Sequence, residues 1–376
     1  MHQINDFSLK RRADLDFDFL LNEKNLEIIR SNVKYRKGVG NIDRLHQLWK
    51  QIENYSNRKI LNENEYRNLW DEFYDEALLI PNFCHPDVPV GDMSFAETRK
   101  TFGIKRCDSK NLLTAEKLAG SWRSVVYPRV ASGERSYAFI GPLAYLEEAL
   151  LSYASSVVLK NGFKLVTVPD IVPQYVTAAC GLQKRSGKDM QYHIVDSTGE
   201  LCLSGTAEMG IGDLIKDQTF RAEDLPTKLC AISRCYRPEI SRSASEAHLY
   251  RVHEFNKMEM FIVCKPDESD RMLEEIVELQ CSIFSELGLF CRLLNMPSEE
   301  LGAPAAQKFD IEAWMPGRKL FGEISSASNC TDYQARRLNI KYTDENNRSH
   351  FVHTCNGTAM ATNRIIISIL ETFQNV

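Results

Sequence analysis

Two neighbouring stretches, CYRPEI from Cys235 to Ile240 and LYRVHEFNKMEMFIV from Leu249 to Val263, carry charged and aromatic side chains at even spacing. Strand side chains alternate between faces. Arg251, His253, Phe255, Lys257 and Glu259 therefore fall on one face of the second stretch. Arg237 and Glu239 share a face of the first by the same count. If the stretches pair as a hairpin, two arginines, two glutamates and a phenylalanine converge on one floor. Such a floor is a poor core and a good bed for a charged, partly flat ligand. A phenyl ring can stack on a purine, and a guanidinium can grip a carboxylate or phosphate with two bonds. A solvated outer face with incidental ion pairs fits the same pattern, and spacing alone does not separate the two.

The elements that must hold these residues follow from hydrophobic period and turn chemistry. Leu143, Leu146, Leu150, Tyr153, Ala154 and Val157 form one face of a helix that stops at Gly162. FKLVTVPDIV reads as a strand ended by Pro169. FDIEAWMPG and LFGEISSAS read as a further strand pair, and RIIISILETFQ as a final apolar helix. Strands separated by short polar loops, with helices at their flanks, predict an α+β domain built on an antiparallel sheet. The first roughly 90 residues are helical by period. Ile42, Leu45, Trp49 and Ile52 make one apolar seam, and Tyr66, Leu69, Phe73 and Ala77 another. Between them lies the polar turn NYSNRKILNENE, so the two helices form a short antiparallel hairpin, each arm on the order of 20 Å. IPNFCHPDVPVGD, with three prolines and a glycine, marks a hinge. The expected division is a helical domain over 1–92 and a larger domain over 93–376.

Bulk composition narrows the classes. The chain has 376 residues, a net charge of −5 and no run of 18 uncharged apolar residues. Any contact with nucleic acid must use local basic patches. The 11 cysteines include no CxxC pair, which suits a reducing compartment and carries no zinc signature. The acid-rich opening MHQINDFSLKRRADLDFDFLL is unlike a signal peptide. A cytosolic protein, or one whose targeting segment is already removed, is expected.

CYRPEI followed by LYRVHEFNKMEMF resembles the second signature of class II aminoacyl-tRNA synthetases in its seryl form. LSGTAEM resembles the seryl Thr-x-Glu loop, and GFKLVTVPDIV the first signature. GEISSASNCTDYQARRLNIKY and HTCNGTAMATNRIIISILE resemble the last strand and third signature. LLIPNFCHPDVPVG is similar to the family's hinge out of its N-terminal arm. The resemblance runs from about Asp14 to the end and is nearest to the mitochondrial type.

The resemblance implies a class II synthetase sheet, a small N-terminal helical domain with a shortened hairpin arm, and ATP-dependent ligation of serine to tRNA(Ser) with Mg²⁺. It implies that Arg237 bridges the serine carboxylate and the α-phosphate, and that Glu239 takes the adenine amino group. Phe255 would stack on adenine opposite Arg364, with Arg251 on the outer phosphates. Glu323 and Ser326 would hold Mg²⁺. Strand parity alone pairs Glu323 with Ser325, so Ser326 comes from the resemblance only. Thr206, Glu208, Arg237, Glu259, Asn356 and Thr358 would recognise serine. A buried carboxylate that demands a hydroxyl donor penalises alanine. The first-signature helix and strand imply a dimer, a homodimer by default or a heterodimer with a synthetase-like paralogue.

Three features depart from the family pattern. Ala247 and His248 stand where Arg-Gly is usual, the arm is short, and the chain ends 12 residues after Arg364, without the tail some relatives carry. A short arm suits a compact tRNA, and mitochondrial serine tRNAs are the expected partners. Basic clusters at Lys10, Arg11 and Arg12, at Lys34, Arg36 and Lys37, and at the hairpin tip, Arg58 and Lys59, are candidate phosphate contacts. A solvated helix surface explains them equally. The leading expectation is an active enzyme in the mitochondrial matrix, with the cytoplasm as the alternative compartment. The competing expectation is a catalytically silent paralogue that acts as a partner subunit.

Overall fold

The computed structural model describes residues 13–56, 62–105, 111–128, 133, 135–182, 190–195, 200–239 and 248–374. Its centre is an eight-stranded sheet. Along the chain the strands are β1 (Glu97–Phe102), β2 (Lys164–Leu165), β3 (Thr227–Tyr236), β4 (Glu254–Cys264), β5 (Cys291–Asn295), β6 (Gln307–Met315), β7 (Leu320–Thr331) and β8 (His353–Ala361). They lie in the order β1-β5-β6-β7-β8-β4-β3-β2, and every pairing is antiparallel except β2 with β3.

The sheet has two unlike faces because its strands alternate. In β4, Met258, Met260, Ile262 and Cys264 enter a core backed by three helices: α4 (Pro142–Lys160), α6 (Ser269–Glu286) and α7 (Thr362–Phe373). The longer helices before these are α1 (Leu26–Tyr35), α2 (Ile42–Ser56) and α3 (Glu63–Leu79), and α5 is Ala207–Ile215. On the other face Phe261 and Val263 pack under α5 and the short helix Tyr333–Leu338. That cover reaches only part of the face. Phe255, Lys257 and Glu259 share the parity of Phe261 and lie where the cover ends. Gly357 sits inside β8 rather than at a turn, paired with Met260 and Ala327. A Cβ there would meet Ile276 Cγ2 of α6 at 2.4 Å, so the helix packs at a distance only glycine allows.

The N-terminal helices form their own apolar cluster, with Leu45, Leu48, Ile52 and Phe73 fully buried. Tyr55 and Tyr66 stack across the hairpin at 5.7 Å, and Tyr55 Oη donates to Glu65 Oε2 at 2.8 Å. The hairpin tip, with Arg58 and Lys59, lies outside the described residues, as do Lys10, Arg11, Arg12 and Ala247. The proline-rich stretch is an anchored strap. Asn82 Nδ2 donates to Pro304 O at 2.7 Å and to Cys330 O at 2.8 Å, and its amide to Ala303 O at 2.9 Å.

Two expected strands differ from what is observed. FKLVTVPDIV is not one strand. Lys164–Leu165 pairs with β3, and Val166 adds one more bond, from its amide to Cys230 O. The chain then leaves the sheet: Val168 packs against Gly210 of α5, and Ile171–Pro173 pairs with Leu201–Leu203 instead. Pro169 has no amide hydrogen to continue the ladder. The second-signature strand begins at Glu254, not at Leu249. Before it, Leu249 O accepts from Asn363 Nδ2 at 2.8 Å and Tyr250 O from Arg364 Nε at 3.3 Å. The last helix staples this segment in place of a neighbouring strand.

Candidate active site

The β3–β4 register places the charged floor. Cys235 pairs with Phe255, and beyond the strand end the Arg237 amide donates to His253 O at 2.9 Å. Arg237 is thus diagonal to Phe255 on one face, its guanidinium 5.3 Å from the ring centre. Two residues further out, Arg251 Nη1 stands 3.6 Å from Glu239 Oε2. Glu239 has a φ of +43°, uncommon for a residue with a side chain. His253 Nδ1 lies 2.8 Å from the Tyr192 hydroxyl, which ties it to the wall of the site.

Arg364 opens α7 and crosses to the same floor. Its Nη1 donates to Glu323 Oε2 at 3.0 Å and Glu323 O at 2.9 Å, and its guanidinium lies 4.6 Å from the Tyr250 ring. The Arg364 guanidinium thus lies by the Tyr250 ring and the Arg237 guanidinium by the Phe255 ring. Desolvation works to raise the Glu323 carboxyl, but Arg364, Lys308 and Arg237 outweigh it and hold it at about 2. Glu323 is ionised at any working pH.

A β-bulge decides which residues accompany Glu323. In the β6–β7 ladder Asp310 pairs with Ser326 and Ile311 with Ser325, but Glu312 pairs with Glu323. Ile324 is the extra residue, and it goes into the core. Glu323 and Ser326 consequently oppose Glu312 and Asp310, two residues of one parity, while Ser325 turns the other way and donates to Thr358 O at 2.6 Å. A regular two-residue alternation would give Ser325 instead. Behind Ser326, the buried Asp310 Oδ1 has no hydrogen-bond partner, and Asp310 Oδ2 takes Lys308 Nζ at 2.8 Å. Glu323, Ser326 and Asp310 are hard oxygen donors of the kind Mg²⁺ takes.

Deeper along β4 and β8 lies a compact cluster of polar side chains. Glu259 is 2% exposed, and its Oε2 is ion-paired with Lys257 Nζ. The same oxygen accepts from Thr206 Oγ1 at 3.3 Å and Thr358 Oγ1 at 3.2 Å. Thr206 caps α5, its hydroxyl accepting from the Glu208 amide at 3.3 Å, and this sets Glu208 in the first turn of that helix. Glu208 Oε1 accepts from Asn356 Nδ2 at 2.9 Å and from Gln334 Nε2. The Glu208 carboxyl is pushed up to about 7, first by burial and then by the charge of Glu259, against the opposing pull of Gln334 and Lys257. From the far side of the sheet, Gln280 of α6 donates to Ser326 O at 2.9 Å and Thr358 O at 3.0 Å.

The structure thus brings Arg237, Glu239, Arg251 and Phe255 together, Glu323 and Arg364 together, and Thr206, Glu208, Glu259, Asn356 and Thr358 together. Arg36 is a correction. It is 2% exposed and donates to Asn82 O at 2.9 Å and to Gly302 O, so its charge is spent on backbone carbonyls and is not offered to a phosphate. Lys34 and Lys37 are exposed, Lys37 Nζ standing 3.4 Å from Glu300. Sequence reasoning assigned no role to Lys257, Gln334, Tyr250 or Asp310. Parity does put Lys257 on the floor; Gln334, on a short helix distant in sequence, gives no such signal.

Residues 192–373 match the family model described as the tRNA synthetase class II core domain (G, H, P, S and T). The chain is 42% identical to the mitochondrial serine–tRNA ligase of Bos taurus over 81% of its own length, and it spans 60% of that relative's length. It is 33% identical to the serine–tRNA ligase of Treponema denticola, covering 96% of this chain and 94% of that one. Its fold matches the crystal structure of seryl-tRNA synthetase from Pyrococcus horikoshii complexed with ATP with a TM-score of 0.83 at 27% identity, over 95% of this chain and 94% of that chain.

Proposed function

The chain belongs to the seryl-tRNA synthetase family, and from that premise we propose that it activates serine with ATP and transfers it to tRNA(Ser). In the first step a serine carboxylate oxygen attacks the α-phosphorus in line. The bond to the bridging oxygen of the β-phosphate breaks, and pyrophosphate leaves. A carboxylate needs no general base, so positioning and charge neutralisation supply the catalysis. Arg237 neutralises the carboxylate and the α-phosphate, Phe255 takes the adenine ring and Glu239 its amino group. Arg251 meets the outer phosphates, and Arg364 faces the adenine ring opposite Phe255. Mg²⁺, which would be held by Glu323 and Ser326, supplies further neutralisation of the phosphates. In the second step a ribose hydroxyl at the tRNA 3′ end attacks the activated carbonyl and releases AMP.

The observation that carries this reading is the pocket around Glu259. It gathers two threonine hydroxyls and a lysine within hydrogen-bond reach of one buried carboxylate. A small ligand with an ammonium and a hydroxyl satisfies such a pocket. Alanine leaves it short of a hydroxyl.

The division into an arm domain over 1–92 and a catalytic domain over 93–376 is part of the proposal, as are Lys34, Lys37, Arg58 and Lys59 as tRNA contacts. So is a homodimer through α4, where Tyr145 and Leu159 are exposed. The mitochondrial relatives support placement in the mitochondrial matrix. Charging of a mitochondrial serine tRNA transcript with radiolabelled serine tests the reading. No charging, alone or with a candidate partner subunit, favours the silent paralogue.

A further inference from the structure

Glu208 Oε1 receives two side-chain amides at once, Asn356 Nδ2 at 2.9 Å and Gln334 Nε2. Gln334 is fully buried. Its own carbonyl oxygen accepts from Thr354 Oγ1 at 2.7 Å, while its NH₂ end faces Glu208. The helix that carries it, Tyr333–Leu338, is clamped on both sides. Ala335 and Leu338 pack in the core that holds Met209 and Ile211 of α5. On the outer side Arg336 O accepts from the Asp14 amide at 3.0 Å, Arg336 Nη2 reaches Asp16 at 3.4 Å, and Arg337 Nη2 donates to Leu78 O at 3.4 Å. Gln334 is thus a rigid donor braced by the N-terminal helical unit, aimed at one of the two acids of the amino-acid pocket.

We propose that Gln334 is a positioning residue for amino-acid recognition: with Asn356 it holds one oxygen of Glu208, leaving the other oxygen turned to the ammonium group of the substrate. This rests on the reading of that pocket as the serine site. A carboxylate half-buried among protein groups loses much of its hydration, and fixed donors must replace it if it is to carry charge. The groups facing Glu208 do not suffice without Gln334. Glu259 repels its charge, Lys257 is committed to Glu259, and the nearby Cys180 and Cys330 thiols are neutral, burial holding them far above their ordinary range. Asn356 supplies a single donor.

The test uses the full chain with Gln334→Met, which keeps length and removes the donor, and Thr354→Val, which keeps shape and frees the amide to rotate. Serine-dependent ATP–pyrophosphate exchange gives KM for serine and for ATP, and calorimetry gives serine affinity directly. The expected result for Gln334→Met is a rise in serine KM on the order of tenfold, an unchanged ATP KM, and an acid limb of kcat/KM for serine displaced to higher pH. Thr354→Val moves the same quantities less. On a Glu208→Gln background, Gln334→Met has little further effect. Unchanged serine affinity in folded Gln334→Met, or equal losses for serine and ATP with no change in the pH profile, overturns the inference. If Gln334→Met does not fold, Thr354→Val decides by the same readouts. Wild-type protein that binds serine without exchange overturns the catalytic reading alone, and variant affinities then decide for Gln334. Wild-type protein that binds no serine overturns both.

Discussion

Lys257 and Glu259, two residues apart on one strand, form an ion pair whose side chains are 8% and 3% exposed. Both point into the pocket because strand parity puts them on one face, and neither reaches bulk water. Removing one partner of such a pair leaves the other charge buried and alone. Lys257→Met is therefore expected to cost about 3–5 kcal/mol of stability and to raise serine KM far more than ATP KM. Denaturant unfolding and exchange kinetics check both halves.

The Glu208 carboxyl, raised from 4.5 to about 7, predicts an acid limb for the proposed serine activation. Below that pH the group is neutral and does not attract an ammonium. Above it the carboxylate is formed. We expect kcat/KM for serine to fall about tenfold per pH unit below the midpoint and to level off above it, with the limb abolished in Glu208→Gln. The linkage sign is opposite for stability. A carboxyl raised on folding favours the folded state below its unfolded value, and that contribution is lost as pH rises through about 7.

Gly357→Ala is expected to destabilise the sheet by about 1–3 kcal/mol. The added methyl meets Ile276 Cγ2 at 2.4 Å and Gln280 Nε2 at 2.9 Å, and Gln280 is the residue that ties Ser326 and Thr358 together from behind. Thermal unfolding measures the loss, and exchange kinetics show whether the pocket widens with it.

Arg36 and Lys34 separate clamp from tRNA contact. Arg36→Ala removes a buried charge bonded to Asn82 O of the strap and to Gly302 O, so a loss of about 3 kcal/mol is expected. Lys34→Glu is exposed and leaves the melting temperature unchanged, while tRNA affinity falls and its salt dependence weakens. Unchanged tRNA binding in Lys34→Glu removes that lysine from the interface.

Much of the site was legible because strand parity is a rigid rule. Arg237, Phe255, Lys257 and Glu259 share a face as their even spacing demands. Ser326 was not legible from spacing, because a single extra residue, Ile324, reverses the alternation and no local residue type announces it. Arg36 looks like its basic neighbours in sequence; only the fold shows that it faces inward, where helix α1 ends against the strap. Gln334 joins the pocket through a tertiary contact across 126 residues, a relation that local periodicity does not encode. The helical hairpin was legible from its apolar seams. Trp49 proved half-buried and Leu48 fully so, since the helix packs on a broader face than a narrow seam.

The central claim is that the Glu259 pocket admits serine into an active synthetase. ATP–pyrophosphate exchange by pure protein, compared for serine, alanine and threonine, tests it most directly. Exchange with serine, little with the other two, and its loss in Glu259→Gln are expected. No serine-dependent exchange, or exchange indifferent to the side-chain hydroxyl, would contradict it.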